Sequence, residues 1–156
     1  MTAAMLGQIA PLVVVALTAV VAMLMAPLAR ARTIRAMTAA GFVLAFLALS
    51  TRFALPGGPV GDLLADDAPA RFGAALSLLA GLGILAFTRS GEGREGPALV
   101  ALAVAGALTL SGATHAATLF LGLEITTLAL IVMTVFPRDA PAVEAGYKTF
   151  VMAGVA

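Results

Sequence analysis

Residues 119–132, LFLGLEITTLALIV, place a single carboxylate near the centre of a long apolar run. An acidic residue in the middle of a membrane helix costs about 2.5–3.5 kcal/mol on insertion scales, so such residues usually face a bundle interior or a wet cavity. Glu124 precedes Phe136, where the run ends, by about three helical turns, which corresponds to the middle of a bilayer. We therefore expect Glu124 to lie deep in a membrane and to serve a function.

The composition of the whole chain supports a membrane protein. Of the 156 residues, 62% are hydrophobic and 11% are charged, whereas a soluble domain has about a quarter of its residues charged. The net charge of +1 argues against a nucleic-acid partner. The chain has no cysteine and only one histidine, which excludes disulfides, cysteine-ligated clusters and a multi-histidine metal or haem site within this sequence. We expect no cofactor in this chain.

The hydrophobic pattern predicts an all-α fold, a polytopic transmembrane helix bundle that forms one domain over residues 1–156. A spanning helix needs about 20 mostly apolar residues. The chain from residue 56 to residue 70 contains Pro, Gly and three aspartates, and it is expected to be a solvated loop that follows a snorkelling Arg52. The five predicted full spans cover roughly 5–28, 37–55, 72–88, 97–110 and 116–136, and a truncated sixth begins near 142.

The arginines predict how the bundle is oriented in the membrane. Short cytoplasmic loops carry an excess of Lys and Arg. Connections on one side of the predicted bundle carry six arginines and those on the other side carry two, so we expect the N-terminus outside and the connection 89–96 in the cytoplasm. The six are Arg30, Arg32, Arg35, Arg89, Arg94 and Arg138, and the two are Arg52 and Arg71.

Two threonines accompany Glu124 on the helical wheel. At about 100° per residue, Thr127 and Thr134 fall near the face of Glu124, whereas Thr126 points elsewhere. Threonine hydroxyls in this position hold water or donate to a carboxylate. The alternative is that they bond back to carbonyls of their own helix, which is common in membrane helices.

Lys148 and His115 are the other candidates for proton transfer. Lys148, the only lysine, is a partner for Glu124 through bridging water, or it pairs with Glu144 four residues earlier and snorkels. His115 precedes the fifth segment, and histidine exchanges protons near neutral pH. The alternative for His115 is an ordinary polar residue at a helix end.

Two stretches carry a family resemblance. Residues 111–136, SGATHAATLFLGLEITTLALIVMTVF, resemble the fifth helix of the antiporter-like membrane subunits of respiratory complex I, and residues 144–156, EAGYKTFVMAGVA, are similar to the start of their sixth helix. The resemblance implies that Glu124 pairs with a lysine on a later helix and switches as protons move. It also implies that Lys148 belongs to a chain of charges along the middle of the membrane.

Further expectations follow from this resemblance. Members of the family are much longer, so we expect this chain to be the N-terminal part of a longer antiporter-like fold. The family implies a proton-translocating, non-redox subunit of complex I in the bacterial inner membrane, beside other membrane subunits. NADH, flavin, iron–sulfur clusters and quinone would then be bound by the partner subunits. Alternatives are a subunit of a cation/proton antiporter or membrane-bound hydrogenase, and a small structural membrane protein.

Overall fold

Six helices and one short hairpin make up the structure, a computed structural model that describes residues 3–87, 93–136 and 139–155. Arg89, Arg138 and most of the connection 89–96 lie outside the described residues, so the orientation expected from the arginines stays a prediction. In chain order the elements are α1 (Ala3–Met25), α2 (Ala31–Ser50), β1 (Gly58–Val60), β2 (Leu64–Asp66), α3 (Ala68–Phe87), α4 (Gly96–Ser111), α5 (Ala116–Val135) and α6 (Ala140–Val155).

Four of the helices are long and apolar enough to cross a membrane. Each of these candidate spans has 20 residues, and they lie in α1, α2, α3 and α5. Helix α4 is apolar but has only 16 residues. The helical membrane bundle is therefore supported over the described residues, while the count of five full spans stays a prediction.

Helix α4 is the centre of the bundle. It packs against α1, α3 and α5, and it is apolar on all sides, as expected of a helix surrounded by others. Its buried residues Val100, Val104 and Leu108 join a core that includes Phe42 of α2 and Leu78 of α3. The outer surfaces of the other helices remain apolar, as in a protein surrounded by lipid.

Small residues bring neighbouring helices close together. A Cβ atom added to Gly106 of α4 would meet Thr126 and, at 2.8 Å, the carbonyl oxygen of Gly122, both on α5. A Cβ atom on Gly146 of α6 would collide with Val135 of α5. Close approach at small residues is the usual way in which membrane helices associate, since lipid leaves little hydrophobic drive between them.

The connection between α2 and α3 differs from the solvated loop expected from the sequence. It forms an antiparallel hairpin in which Gly58 pairs with Asp66 and Val60 with Leu64. Gly61 has a φ of 64°, the left-handed conformation that a tight hairpin loop requires. The hairpin is held to the turn before α5, where the Ala65 N–H donates to the Gly112 carbonyl at 2.7 Å. That turn supplies partners for the strand edge, so the prediction of an irregular loop is wrong, although Asp62 and Asp67 are exposed as expected.

Candidate functional site

Glu124 lies on α5 with its side chain exposed in this chain. The residues one turn before and after it, Phe120, Leu121 and Leu128, are exposed as well. Among the described residues, no side chain donates a hydrogen bond to the Glu124 carboxylate. The helix therefore presents an apolar face with one carboxylate near its centre, and no part of the described chain covers it.

Two threonines of α5, Thr126 and Thr134, face different neighbouring helices. The Thr126 hydroxyl donates to the Gly122 carbonyl at 2.9 Å and lies 3.5 Å from the Ala103 carbonyl of α4, which agrees with its expected direction away from Glu124. The Thr134 hydroxyl donates to the Ile131 carbonyl at 2.7 Å and faces α6. Thr127 is half-buried. For Thr134 the back-bonding alternative is therefore the arrangement found.

Lys148 is paired within its own helix. Its Nζ atom lies 2.5 Å from Oε1 of Glu144, and both side chains are exposed. This is the four-residue spacing that stabilises a helix, and exposed pairs of this kind contribute little to stability. Of the two alternatives considered for Lys148, the structure shows the pair with Glu144. No other carboxylate among the described residues contacts this lysine.

His115 is the N-cap of α5. Its Nδ1 atom accepts a hydrogen bond from the Ala117 N–H at 3.1 Å, and the ring is exposed. An Nδ1 that accepts leaves the ring proton on Nε2, which points away from the helix end. The histidine therefore has a structural role in starting α5, and no side chain in the described ranges contacts its Nε2 atom through a hydrogen bond.

A cluster that the sequence analysis missed lies beside the hairpin. Asp66 and Arg71 are 6% and 5% exposed. The Arg71 guanidinium donates two hydrogen bonds to the Asp66 carboxylate, from Nε to Oδ1 at 2.7 Å and from Nη2 to Oδ2 at 3.1 Å. Arg52 adds two more contacts to Oδ2, from Nη2 at 2.7 Å and from Nε at 3.1 Å. Arg52 therefore does not snorkel, and Asp66 is not solvated, contrary to both expectations.

Backbone contacts and charge complete this cluster. Arg71 Nη1 donates to the carbonyls of Arg52 at 2.5 Å and Leu55 at 2.9 Å, so it also holds the chain that leaves α2. Burial would raise the pKa of Asp66, but hydrogen bonds from Arg71 and Arg52, together with their positive charge, hold that pKa below its usual range. The carboxylate therefore stays ionised and joins α2, the hairpin and α3.

The described residues offer no metal site. No group of three or more His, Asp or Glu side chains in the described ranges is arranged to hold a metal ion. Cysteine is absent from the whole sequence.

Curated relatives match the chain along its whole length. NADH-quinone oxidoreductase subunit N of Rhodopseudomonas palustris (strain BisA53) is 48% identical over 158 aligned residues, which cover 100% of this chain and 35% of that protein. This chain is homologous to NADH-quinone oxidoreductase subunit N. The protein of the same name from Cereibacter sphaeroides is 46% identical, over 94% of this chain and 32% of its own length. No protein-family profile matches the sequence.

A solved structure shares the fold. A chain of respiratory complex I from Thermus thermophilus, solved with bound aureothin, superimposes with a TM-score of 0.82 and 24% identity, over 93% of this chain and 33% of that chain. The superposition shows a shared fold, and the curated relatives confirm the resemblance to the antiporter-like subunits of complex I, since both are named as subunit N. The chain spans about a third of the length of the relatives that it matches.

Proposed function

We propose that this chain forms part of a proton-translocating membrane subunit of NADH-quinone oxidoreductase. The observation that carries the proposal is the 48% identity to subunit N from Rhodopseudomonas palustris over the entire chain. The relatives cited are named as complex I components and not as antiporter or hydrogenase subunits, which favours complex I over those alternatives. The subunit is non-redox. It takes part in the enzyme by moving protons while quinone is reduced elsewhere in the complex.

Glu124 is the proposed proton carrier. Its carboxylate lies in an apolar face of α5 beside Phe120 and Leu128, and exposure of such a face to lipid would be costly for the charged form. The matched relatives are about three times as long as this chain. We therefore expect a further part of the protein to cover this face and to supply a cation against Glu124. Movement of that cation would let the carboxylate bind and release a proton.

Lys148 is the proposed relay. In the described chain it rests against Glu144 at 2.5 Å. A lysine held by one exposed carboxylate is free to exchange it for another at small cost, because such pairs contribute little. Thr127 and Thr134 would position water between α5 and α6, and His115 would exchange protons at the start of α5.

The remaining parts of the proposal concern placement and partners. The protein would be a multi-pass protein of the bacterial inner membrane with its N-terminus outside, and the apolar α4 would complete five full spans. Its partners would be the lipid bilayer and other membrane subunits of complex I, with no nucleic acid. No cofactor would bind here, and NADH, flavin, iron–sulfur clusters and quinone would be bound by partner subunits.

The test is a Glu124→Gln substitution in the full-length protein within the assembled complex. Proton uptake into reconstituted vesicles should fall while the complex keeps its subunit composition. Asp62→Asn is the matched control, since Asp62 is an exposed carboxylate of the hairpin loop, and it should leave proton uptake unchanged. Unchanged uptake in the Glu124 variant would rule out the role of this carboxylate.

A further inference from the structure

A groove in the outer surface of the bundle runs along α1 and α4. Its cavity has a volume of about 420 Å³ and an apolar lining that includes Ile125 of α5. The buried alanines Ala19, Ala98 and Ala105 form its floor, and the exposed Val20 and Met23 belong to its rim. Small residues below and larger ones at the edge make a depression that opens toward the surrounding membrane.

The groove has the length of one membrane leaflet. It extends along α1 from Leu12 to Met23, which at about 1.5 Å per residue is roughly 16 Å. Half of a hydrocarbon core of about 30 Å has nearly the same length. The one hydroxyl in the lining, on Thr109, donates to the Ala105 carbonyl of its own helix at 2.9 Å. The lining therefore requires no polar partner, and it suits an acyl chain.

A second, polar cavity lies near one end of the groove. It measures about 450 Å³ and is lined by Ala26 and Pro27 after α1, by Arg94 and Glu95 before α4, and by Phe136 after α5. The linings of the two cavities are three residues apart in sequence at both places, from Met23 to Ala26 at the end of α1 and from Glu95 to Ala98 at the start of α4. The apolar groove therefore ends beside one positive and one negative side chain.

These two charges are available for a ligand. Glu95 occupies the N-cap position of α4, but its carboxylate makes no capping hydrogen bond. Within the described ranges, neither Arg94 nor Glu95 takes part in an ion pair, and Arg94 is exposed. A guanidinium suits the geometry of a phosphate, and a carboxylate suits an ammonium.

We propose that α1, α4 and α5 hold one phosphatidylethanolamine molecule. One acyl chain lies in the groove over Ala19 and Ala105, the phosphate lies against Arg94, and the ammonium lies against Glu95. Basic pockets between membrane helices bind lipid headgroups, and the presence of Glu95 beside Arg94 matches a zwitterionic headgroup better than an anionic one. This site is independent of proton transfer at Glu124.

The test uses the full-length protein in its purified membrane complex, reconstituted with a phosphatidylethanolamine that carries a photoreactive group in one acyl chain. After irradiation, mass spectrometry should locate the label on residues 12–23 and 98–109. Ala16→Phe, at an exposed position that lines the groove, should abolish this label. The matched control Leu17→Phe alters the next residue, which is exposed and does not line the groove, and it should leave the label in place.

Separate substitutions test the contact between the lipid headgroup and Arg94. Arg94→Gln should reduce labelling roughly tenfold, the loss expected for one charged hydrogen bond, whereas Arg32→Gln, at an exposed arginine outside both cavities, should not. An equally efficient phosphatidylglycerol probe would overturn the zwitterionic assignment. Label spread evenly over all exposed helix faces, or absent from the groove, would overturn the site. A photoreactive amino acid at position 16 that links to protein and not to lipid would overturn it as well. Because the readout is lipid labelling, these results do not depend on proton pumping.

Discussion

The Arg71 guanidinium lies 2.7 Å from Asp66 Oδ1 while its Nη1 atom reaches the carbonyl of Arg52, so a single side chain joins the end of α2, the hairpin and the first turns of α3. A charge in this environment is stable only because each donor and acceptor has a partner. Removal of one partner leaves another charge buried without compensation, and this makes the cluster a sensitive point of the fold.

Arg71→Leu should destabilise the protein strongly. Among the described residues, the variant leaves the buried carboxylate with one cation, Arg52, and loss of one partner of a buried ion pair costs about 3–5 kcal/mol. Thermal unfolding of the full-length protein in detergent would measure the loss. Arg32→Leu is the control, since Arg32 is exposed, and it should change the unfolding temperature little. Equal unfolding temperatures for both variants would contradict the assigned role of Arg71.

The same cluster predicts a dependence of stability on pH. The pKa of Asp66 is lowered in the folded protein from its ordinary value of 3.8, so its contribution is fully present above that value and is lost as the pH falls through the lower folded value. The unfolding temperature should therefore have no Asp66-linked loss between pH 7 and pH 5. Below about pH 4 it should decline in the native protein, and this part of the decline should be missing in Asp66→Asn.

Gly106→Ala should weaken the contact between α4 and α5. The added methyl group would meet the Thr126 side chain and the Gly122 carbonyl, and overpacking of a tight contact costs about 1–3 kcal/mol. Gly83→Ala is a matched control in α3, because no atom lies within 4 Å of its added Cβ. The control should be neutral or stabilising by about 0.5–1 kcal/mol. The expected result is a lower unfolding temperature for Gly106→Ala and an unchanged or higher one for Gly83→Ala, and equal losses in both variants would contradict the role of Gly106.

Lys148→Ala separates a structural role from a functional one. The pair with Glu144 is exposed, so its loss should cost no more than about 0.5 kcal/mol. Proton uptake by the assembled complex should nevertheless fall if Lys148 relays protons. Glu144→Gln removes the same pair but keeps the lysine, and its proton uptake should exceed that of Lys148→Ala. Native-like uptake by Lys148→Ala would remove this residue from the pathway.

The long apolar segments could be predicted from the sequence, and their ends less well. The fifth segment, expected over 116–136, is the helix Ala116–Val135. Its start could be predicted because the polar residue His115 directly precedes the apolar run. The second was expected over 37–55 and is instead Ala31–Ser50. Hydropathy placed the start after the arginines, but arginine is a good helix former and α2 begins among them.

The Asp66 cluster could not be predicted because its partners are distant in sequence. Each strand of the hairpin has three residues, too few for an alternating pattern, and β2 depends on backbone contacts with the turn that contains Gly112. Gly61 before Asp62 was a usable turn signal. For Glu124, the sequence indicated an unusual carboxylate but could not predict what lies against its face, and none of the described helices covers that face.

Helix α5 is held by glycine contacts on two neighbours, at Gly106 of α4 and at Gly146 of α6. With both flanks this close, a rotation of α5 about its own axis would drive backbone into side chain. If Glu124 carries protons as proposed, the accompanying movement is therefore restricted to side-chain rotamers, to water, or to the three helices moving as one rigid unit.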